Sequence, residues 1–278
     1  MTNAIQTWKE RIDAHNEQTV RTRGDVVYPD LWSALAERFR DDPRRTDDAV
    51  VNLVDGWLTA AASTVLDVGG GAGRYALPMA LRAKHVTVVD PSPSMLDAMK
   101  RSADEADIAN VSAVPANWED AQVEPADIVF CANVVYGVAK IEPFVRRMER
   151  HARERVAILL FMDAPLSRMS PIWEAVHGEE RIDMPGLPEL LPVLWQMDIY
   201  PNVEMMPFLG TMRVSPDMES AIQMARHFLY IQPGSEKEAR LRQVAPEFVE
   251  ETPKGVMMRG ASERPQGVVW WWTGGLGR

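Results

Sequence analysis

An acid standing two residues ahead of alternating glycines is the chain's clearest chemical signature. Asp67 precedes Gly69, Gly71 and Gly73 in the run Thr64-Val65-Leu66-Asp67-Val68-Gly69-Gly70-Gly71-Ala72-Gly73-Arg74. Glycine-dense backbone bends sharply and lets its N–H groups approach a ligand with no Cβ in between. A second apolar run, His85-Val86-Thr87-Val88-Val89, ends in another acid, Asp90. The dinucleotide-loop spacing G-x-G-x-x-G is not met, because Arg74 stands sixth from Gly69. A carboxylate at the mouth of a phosphate cradle would repel the phosphate, but it suits a ligand that carries an ammonium group. The two acids and the glycines together point to a nucleoside-bearing cofactor with a positive charge.

In these residues the chain resembles the class I S-adenosylmethionine-dependent methyltransferases. Their first motif, an acid followed by G-x-G-x-G, is matched by Asp67 through Gly73, with Gly70 inside it. The resemblance implies that the methionine part of S-adenosylmethionine lies on this loop with its amino group near Asp67. It gives Asp90 the ribose hydroxyls and puts Pro91 near the adenine. A third feature, a loop that binds the adenine amino group, falls at Ala116-Asn117-Trp118-Glu119-Asp120, where Asn117 stands in place of a common aspartate and Trp118 is a second cofactor-binding candidate. A fourth corresponds to Ala126-Asp127-Ile128-Val129-Phe130-Cys131-Ala132-Asn133-Val134-Val135-Tyr136, with Asn133 where a histidine is frequent. The resemblance covers about residues 46–162 well and the later strands loosely. It implies methyl transfer to a small-molecule acceptor, with S-adenosylhomocysteine as the product. Candidates for acceptor contact are Tyr28, Trp32, Tyr136, Glu174 and His177, with Tyr136 and His177 as candidates for acid–base work.

The elements that position these residues follow from hydrophobic periodicity. Helices are expected over 4–20, 30–40 and 47–61, with Thr46, Asp47 or Asp48 capping the third. From residue 64 the pattern alternates: strand 64–68, helix 72–83, strand 85–89, helix 93–105, strand 111–114, strand 127–132, helix 141–152, strand 156–162. Apolar strands separated by amphipathic helices make a doubly wound, mostly parallel sheet whose strand ends share one edge. Beyond 163, prolines punctuate short helices near 170–178 and 187–197. A strand at 203–209 with Pro207 reads as an edge. Helices over 216–231 and 236–250 precede a last strand at 267–273, which completes seven. The expected organisation is an N-terminal helical cap (1–45), a cofactor-binding core (46–162), and late strands carrying helical cap insertions (163–278).

Composition narrows the partners. The 278 residues carry a net charge of −10, which disfavours a nucleic-acid substrate. Apolar runs are strand-length, so no membrane span is expected. The single cysteine, Cys131, rules out intrachain disulfides, and the five histidines show no ligand spacing, so no metal is expected. A cytoplasmic monomer or homodimer is the resulting expectation. Two rivals share the fold: an aminopropyltransferase, for which the paired acids of a polyamine site are not found, and a non-catalytic S-adenosylmethionine-binding regulatory protein. At single positions plainer roles stay open, such as packing for Tyr136 and sheet packing for Trp270, Trp271 and Trp272.

Overall fold

The computed structural model describes residues 3–59, 62–207, 214–259 and 265–274. Its main sheet has seven strands: β1 (Thr64–Val68), β2 (His85–Val89), β3 (Val111–Val114), β4 (Ala126–Ala132), β5 (Ala152–Phe161), β6 (Asn202–Met206) and, after the hairpin β7 (Val249–Thr252) and β8 (Gly255–Met258), β9 (Gln266–Trp272). The spatial order is β3-β2-β1-β4-β5-β9-β6. Strands β1 to β5 run parallel, with Val65 facing Val86 on one side and Ile128 on the other. Strand β9 is antiparallel to both neighbours. The order reverses between β1 and β4, so the crevice at their carboxyl ends is where an open α/β sheet receives a ligand.

The central strands are buried on both faces because helices cover both. One layer is α1 (Ala4–Arg23), α5 (Ile141–His151) and α7 (Leu187–Gln196), whose apolar stripes meet Leu66, Val68 and Val129. The opposite layer is α2 (Ala49–Asp55), α3 (Ala76–Ala80) and α4 (Pro93–Glu105), packed on Val65, Val86 and Ile128. Helices α6 (Ser170–His177), α8 (Met218–Phe228) and α9 (Glu236–Phe248) form a separate apolar cluster around Trp173, Leu229 and Leu241. The three tryptophans of β9 serve the sheet: Trp271 is buried on one face, while Trp270 and Trp272 flank Arg155 on the other.

Several expectations shift. Residues 30–40 form turns and a short 3₁₀ segment, Ala36–Phe39, in place of a helix. Asp30 is the cause: its carboxylate accepts from the Trp32 N–H at 3.0 Å and from the Ser92 hydroxyl at 2.8 Å, which ties the chain into a turn. Helix α3 starts four residues later than expected, since Gly71 and Gly73 hold φ of 53° and 79°. Helix α2 begins at Ala49, capped by Asp48, which accepts from the Val50 and Val51 N–H groups. Strand β6 is the edge as expected and β9 runs inside it; residues 208 and 209 lie outside the described residues. The hairpin β7–β8 is not among the expected elements; the helix expected over 236–250 stops at Phe248, and its last two residues open β7.

Candidate cofactor and acceptor site

The glycine turn is built by the end of β1 leaning on β2. Gly69 donates to the Val89 carbonyl at 2.7 Å, and Gly73 donates to the Gly70 carbonyl at 3.0 Å. Gly69 has a φ of 71° and Gly71 one of 53°, a region that side chains with a Cβ rarely enter. At Gly70 the demand is different: a Cβ there would stand 2.5 Å from Asp67 Oδ2. Asp90 clamps the turn from the next strand. Its Oδ2 accepts from the Gly71 N–H at 3.0 Å, and its Oδ1 accepts from the Ser92 N–H at 2.9 Å. Ser92 then caps α4 by accepting from the Met95 N–H at 3.2 Å.

Asp67 is the unusual group. It is 1% exposed, and neither carboxylate oxygen has a hydrogen-bond partner. Burial first, and the neighbouring charge of Asp90 second, push its pKa up to about 7. Burial also raises Asp90, against the pull of its two backbone donors. An unpaired buried carboxylate costs on the order of 1–3 kcal/mol or more, so the turn is organised around a positive group brought by a ligand. An ammonium fits that demand; a phosphate does not.

The other sequence-derived residues are placed as follows. Gly69, Gly70, Gly71 and Gly73 form the turn, and Pro91 lies exposed just beyond Asp90. Asn117 is exposed at a turn after β3, where its backbone carbonyl accepts from Asp120 and Ala121. Trp118 is corrected: its indole is buried, donates to the Phe144 carbonyl at 3.3 Å and lies under the Arg147 guanidinium. Its ring therefore belongs to the packing of α5. Asn133 holds a φ of 59° at the end of β4, and its Oδ1 accepts from the Tyr136 hydroxyl at 2.9 Å. That hydroxyl in turn accepts from the Phe161 N–H at 2.7 Å. Tyr136 thus ties the ends of β4 and β5 together, and its oxygen is committed to that link rather than to acid–base work.

Tyr28 lines a cleft of about 840 Å³ between residues 25–38 and α8, with Leu35, Arg38, Met224 and His227 among its walls. Its ring lies 4.3 Å from that of His227. Trp32 is exposed and meets Phe39 edge-on, and Glu174 is exposed on α6. His177 is held against Trp173 at 4.3 Å, with Nε2 at 3.2 Å from the Leu229 carbonyl. Burial, reinforced by Lys237, lowers its pKa to about 4, so it is neutral near pH 7. Cys131 is fully buried, and burial pushes its thiol up, away from nucleophilic use. Sequence reasoning missed Asp30 and Ser92, which join the N-terminal segment to α4 beside Asp90; the only sequence signal was a cap-forming serine at the head of that helix. No helix of the described residues is long and apolar enough to cross a membrane, and no metal-holding group of acids, histidines and cysteine is present among them.

Comparison with known proteins agrees with this geometry. Residues 65–155 match the family model described as a methyltransferase domain. The ubiquinone biosynthesis O-methyltransferase of Rickettsia prowazekii (strain Madrid E) is 31% identical over 107 residues, which is 36% of this chain and 40% of that protein. The match thus spans well under half the length of this relative. Among solved structures, a SAM-dependent methyltransferase from Geobacter sulfurreducens in complex with S-adenosyl-L-homocysteine aligns with a TM-score of 0.56 at 15% identity, covering 88% of this chain and 98% of that one. YjhP from E. coli aligns with a TM-score of 0.54 at 17% identity, covering 86% and 97%. At such identities the structural matches establish the fold. Sheet order, glycine turn and family match together define a Rossmann-like methyltransferase domain.

Proposed function

We propose that this protein transfers the methyl group of S-adenosylmethionine to a small-molecule acceptor. The observation that carries this is Asp67: a buried carboxylate with both oxygens unpartnered, at a glycine turn clamped by an acid from the next strand. These residues fit the cofactor. Asp67 would accept from its ammonium group, and the Gly69–Gly73 backbone would lie along its methionine part. Asp90 keeps lone pairs for ribose hydroxyls while holding the turn, and Asn117 and Pro91 border the adenine end. When bound, the cofactor supplies a methyl group on a sulfonium already activated for in-line displacement. The chain's own work is then to hold the acceptor in line and exclude water, which is worth several orders of magnitude in rate. Tyr136 and Asn133 stiffen the ends of β4 and β5 where the two substrates would meet.

In the same reading, residues 46–162 form the cofactor-binding core, while 1–45 and the helical insertions of 163–278 form a cap with Tyr28 on its inner cleft. A base is required only if the acceptor atom must lose a proton; neutral His177 stays a candidate for acceptor contact alone. The acidic balance of the chain and the O-methyltransferase relative both favour a small acceptor over a nucleic acid. Addition of S-adenosylhomocysteine should raise the melting temperature of the full chain. Asp90→Ala should abolish most of that rise and Glu119→Ala should leave it; equal effects remove Asp90 from the ribose role.

A further inference from the structure

Arg181 and Trp173, packed together in the cap, both carry buried donors without acceptors. Arg181 is 4% exposed. Its Nη1 donates to the Leu166 carbonyl at 3.1 Å, while its Nε and Nη2 have no partner. Those two nitrogens share one edge of the guanidinium plane, the edge that meets both oxygens of a carboxylate side by side. The plane is fixed by Trp173, whose ring centroid lies 4.9 Å from the Arg181 Cζ. The Trp173 Nε1 is itself buried and unpartnered, as are Nε and Nη1 of Arg168, two residues beyond Leu166. Asp183 acts on Arg181 through its charge, yet its carboxylate is taken by the Ser170 hydroxyl at 2.6 Å. None of the four free guanidinium nitrogens meets an acid among the described residues.

A buried cation with two unpaired donors is a costly arrangement for a fold to sustain. It is coherent where an anion arrives to meet it. Tyr230 lies within electrostatic range of Arg181 and holds a φ of 54°, a backbone state that side-chain-bearing residues rarely adopt. Its ring is 6.0 Å from that of Tyr28, which lines the 840 Å³ cleft. Arg181 thus neighbours Tyr230 electrostatically, and Tyr230 meets through Tyr28 the cleft available to an acceptor.

We propose that Arg181 receives the anionic end of the methyl acceptor inside the cap, and that the acceptor is a small molecule bearing a carboxylate or phosphoryl group. The proposal rests on the methyl-transfer reading for the word acceptor, but the anion site stands on its own geometry. The test is a titration of the full-length protein, with and without S-adenosylhomocysteine, followed by the arginine Nε–H resonances in a 1H–15N correlation spectrum. Arg181→Lys assigns the Arg181 signal, and the Trp173 Nε1–H signal serves as a second reporter. Acetate should shift both signals saturably, and its neutral counterpart acetamide should not. A response to inorganic phosphate but not to acetate assigns a phosphoryl group to the same site. Arg181→Lys keeps the charge and loses the paired edge, so the acetate response at Trp173 should weaken about tenfold. Arg181→Met should lose it while keeping S-adenosylhomocysteine affinity and a melting temperature no lower than that of the wild type. Equal responses to acetate and acetamide, or none to acetate and phosphate, overturn the anion site. Failure of S-adenosylhomocysteine to bind overturns the methyl-transfer reading instead, and the titration without it still decides the anion site.

Discussion

At the scale of single residues, the proposed cofactor site turns on Asp67. Its buried carboxylate, raised to about 7, is partly protonated in the ligand-free protein near neutral pH. A ligand that brings an ammonium group favours the charged form, so binding must release a proton when the pH lies below about 7. The affinity for S-adenosylhomocysteine should therefore fall as the pH drops from 7 towards 5, by up to tenfold per pH unit. The ligand's own ammonium stays charged over that range. Calorimetry in two buffers of different ionisation heat measures both the affinity and the proton release. A flat affinity with no proton release between pH 5 and 7 would remove Asp67 from contact with the ammonium.

At the scale of elements, the head of α4 does two things at once. Ser92 is buried, caps the helix, and donates its hydroxyl to Asp30 at 2.8 Å. The N-terminal segment is thus pinned within two residues of Asp90. Asp30→Ala should loosen residues 31–39 and leave α4 intact, because the Ser92 oxygen still accepts from Met95. Hydrogen-exchange mass spectrometry should show faster exchange at 31–39 and no change across 93–105; an unchanged 31–39 would mean that other contacts hold the segment.

The same element shows why some structure was readable in the sequence and some was not. Strands β1 to β4 are largely apolar runs fixed by local pattern, so their places followed from the residues alone. Strand β5 starts at Ala152, four residues ahead of the expected 156, because Ala152 pairs with Ala126 across a polar stretch that carries no strand signal. The segment 30–40 misled because its apolar stripe of Leu31, Trp32, Leu35 and Phe39 is real, but Asp30 is spent on a partner 62 positions away. Helix α3 was overextended because glycine spacing signals a turn without saying how far it reaches. Trp118 sits beside a cofactor motif in sequence, yet its ring turns to α5, a choice set by the buried space next to Phe144. Arg181 could not be singled out at all: one arginine among many becomes informative only when its neighbours leave two nitrogens unpaired.

At the scale of the whole molecule, charge and layering agree. A net charge of −10 gives the long-range field the wrong sign for a polyanion, so turnover of a small acceptor should change only modestly with added salt. A loss of orders of magnitude between low and moderate salt would instead mark a nucleic-acid substrate. The two-layer core leaves the carboxyl edge of the sheet to the cap, whose own apolar cluster around Trp173 and Leu229 keeps it a distinct unit of packing. In the proposed reading the sheet builds the cofactor end and the insertions build the acceptor end.

The most direct measurement is the affinity of wild type and Asp67→Asn for two ligands, S-adenosylhomocysteine and 5′-methylthioadenosine, which shares the nucleoside and thioether but lacks the ammonium group. Loss of a charge-assisted contact of roughly 1.5–3 kcal/mol should weaken S-adenosylhomocysteine about tenfold to a hundredfold. Methylthioadenosine should bind both proteins alike. Equal weakening of the two ligands, or no binding of S-adenosylhomocysteine by the wild type, would contradict the assignment of the glycine turn to an ammonium-bearing nucleoside cofactor.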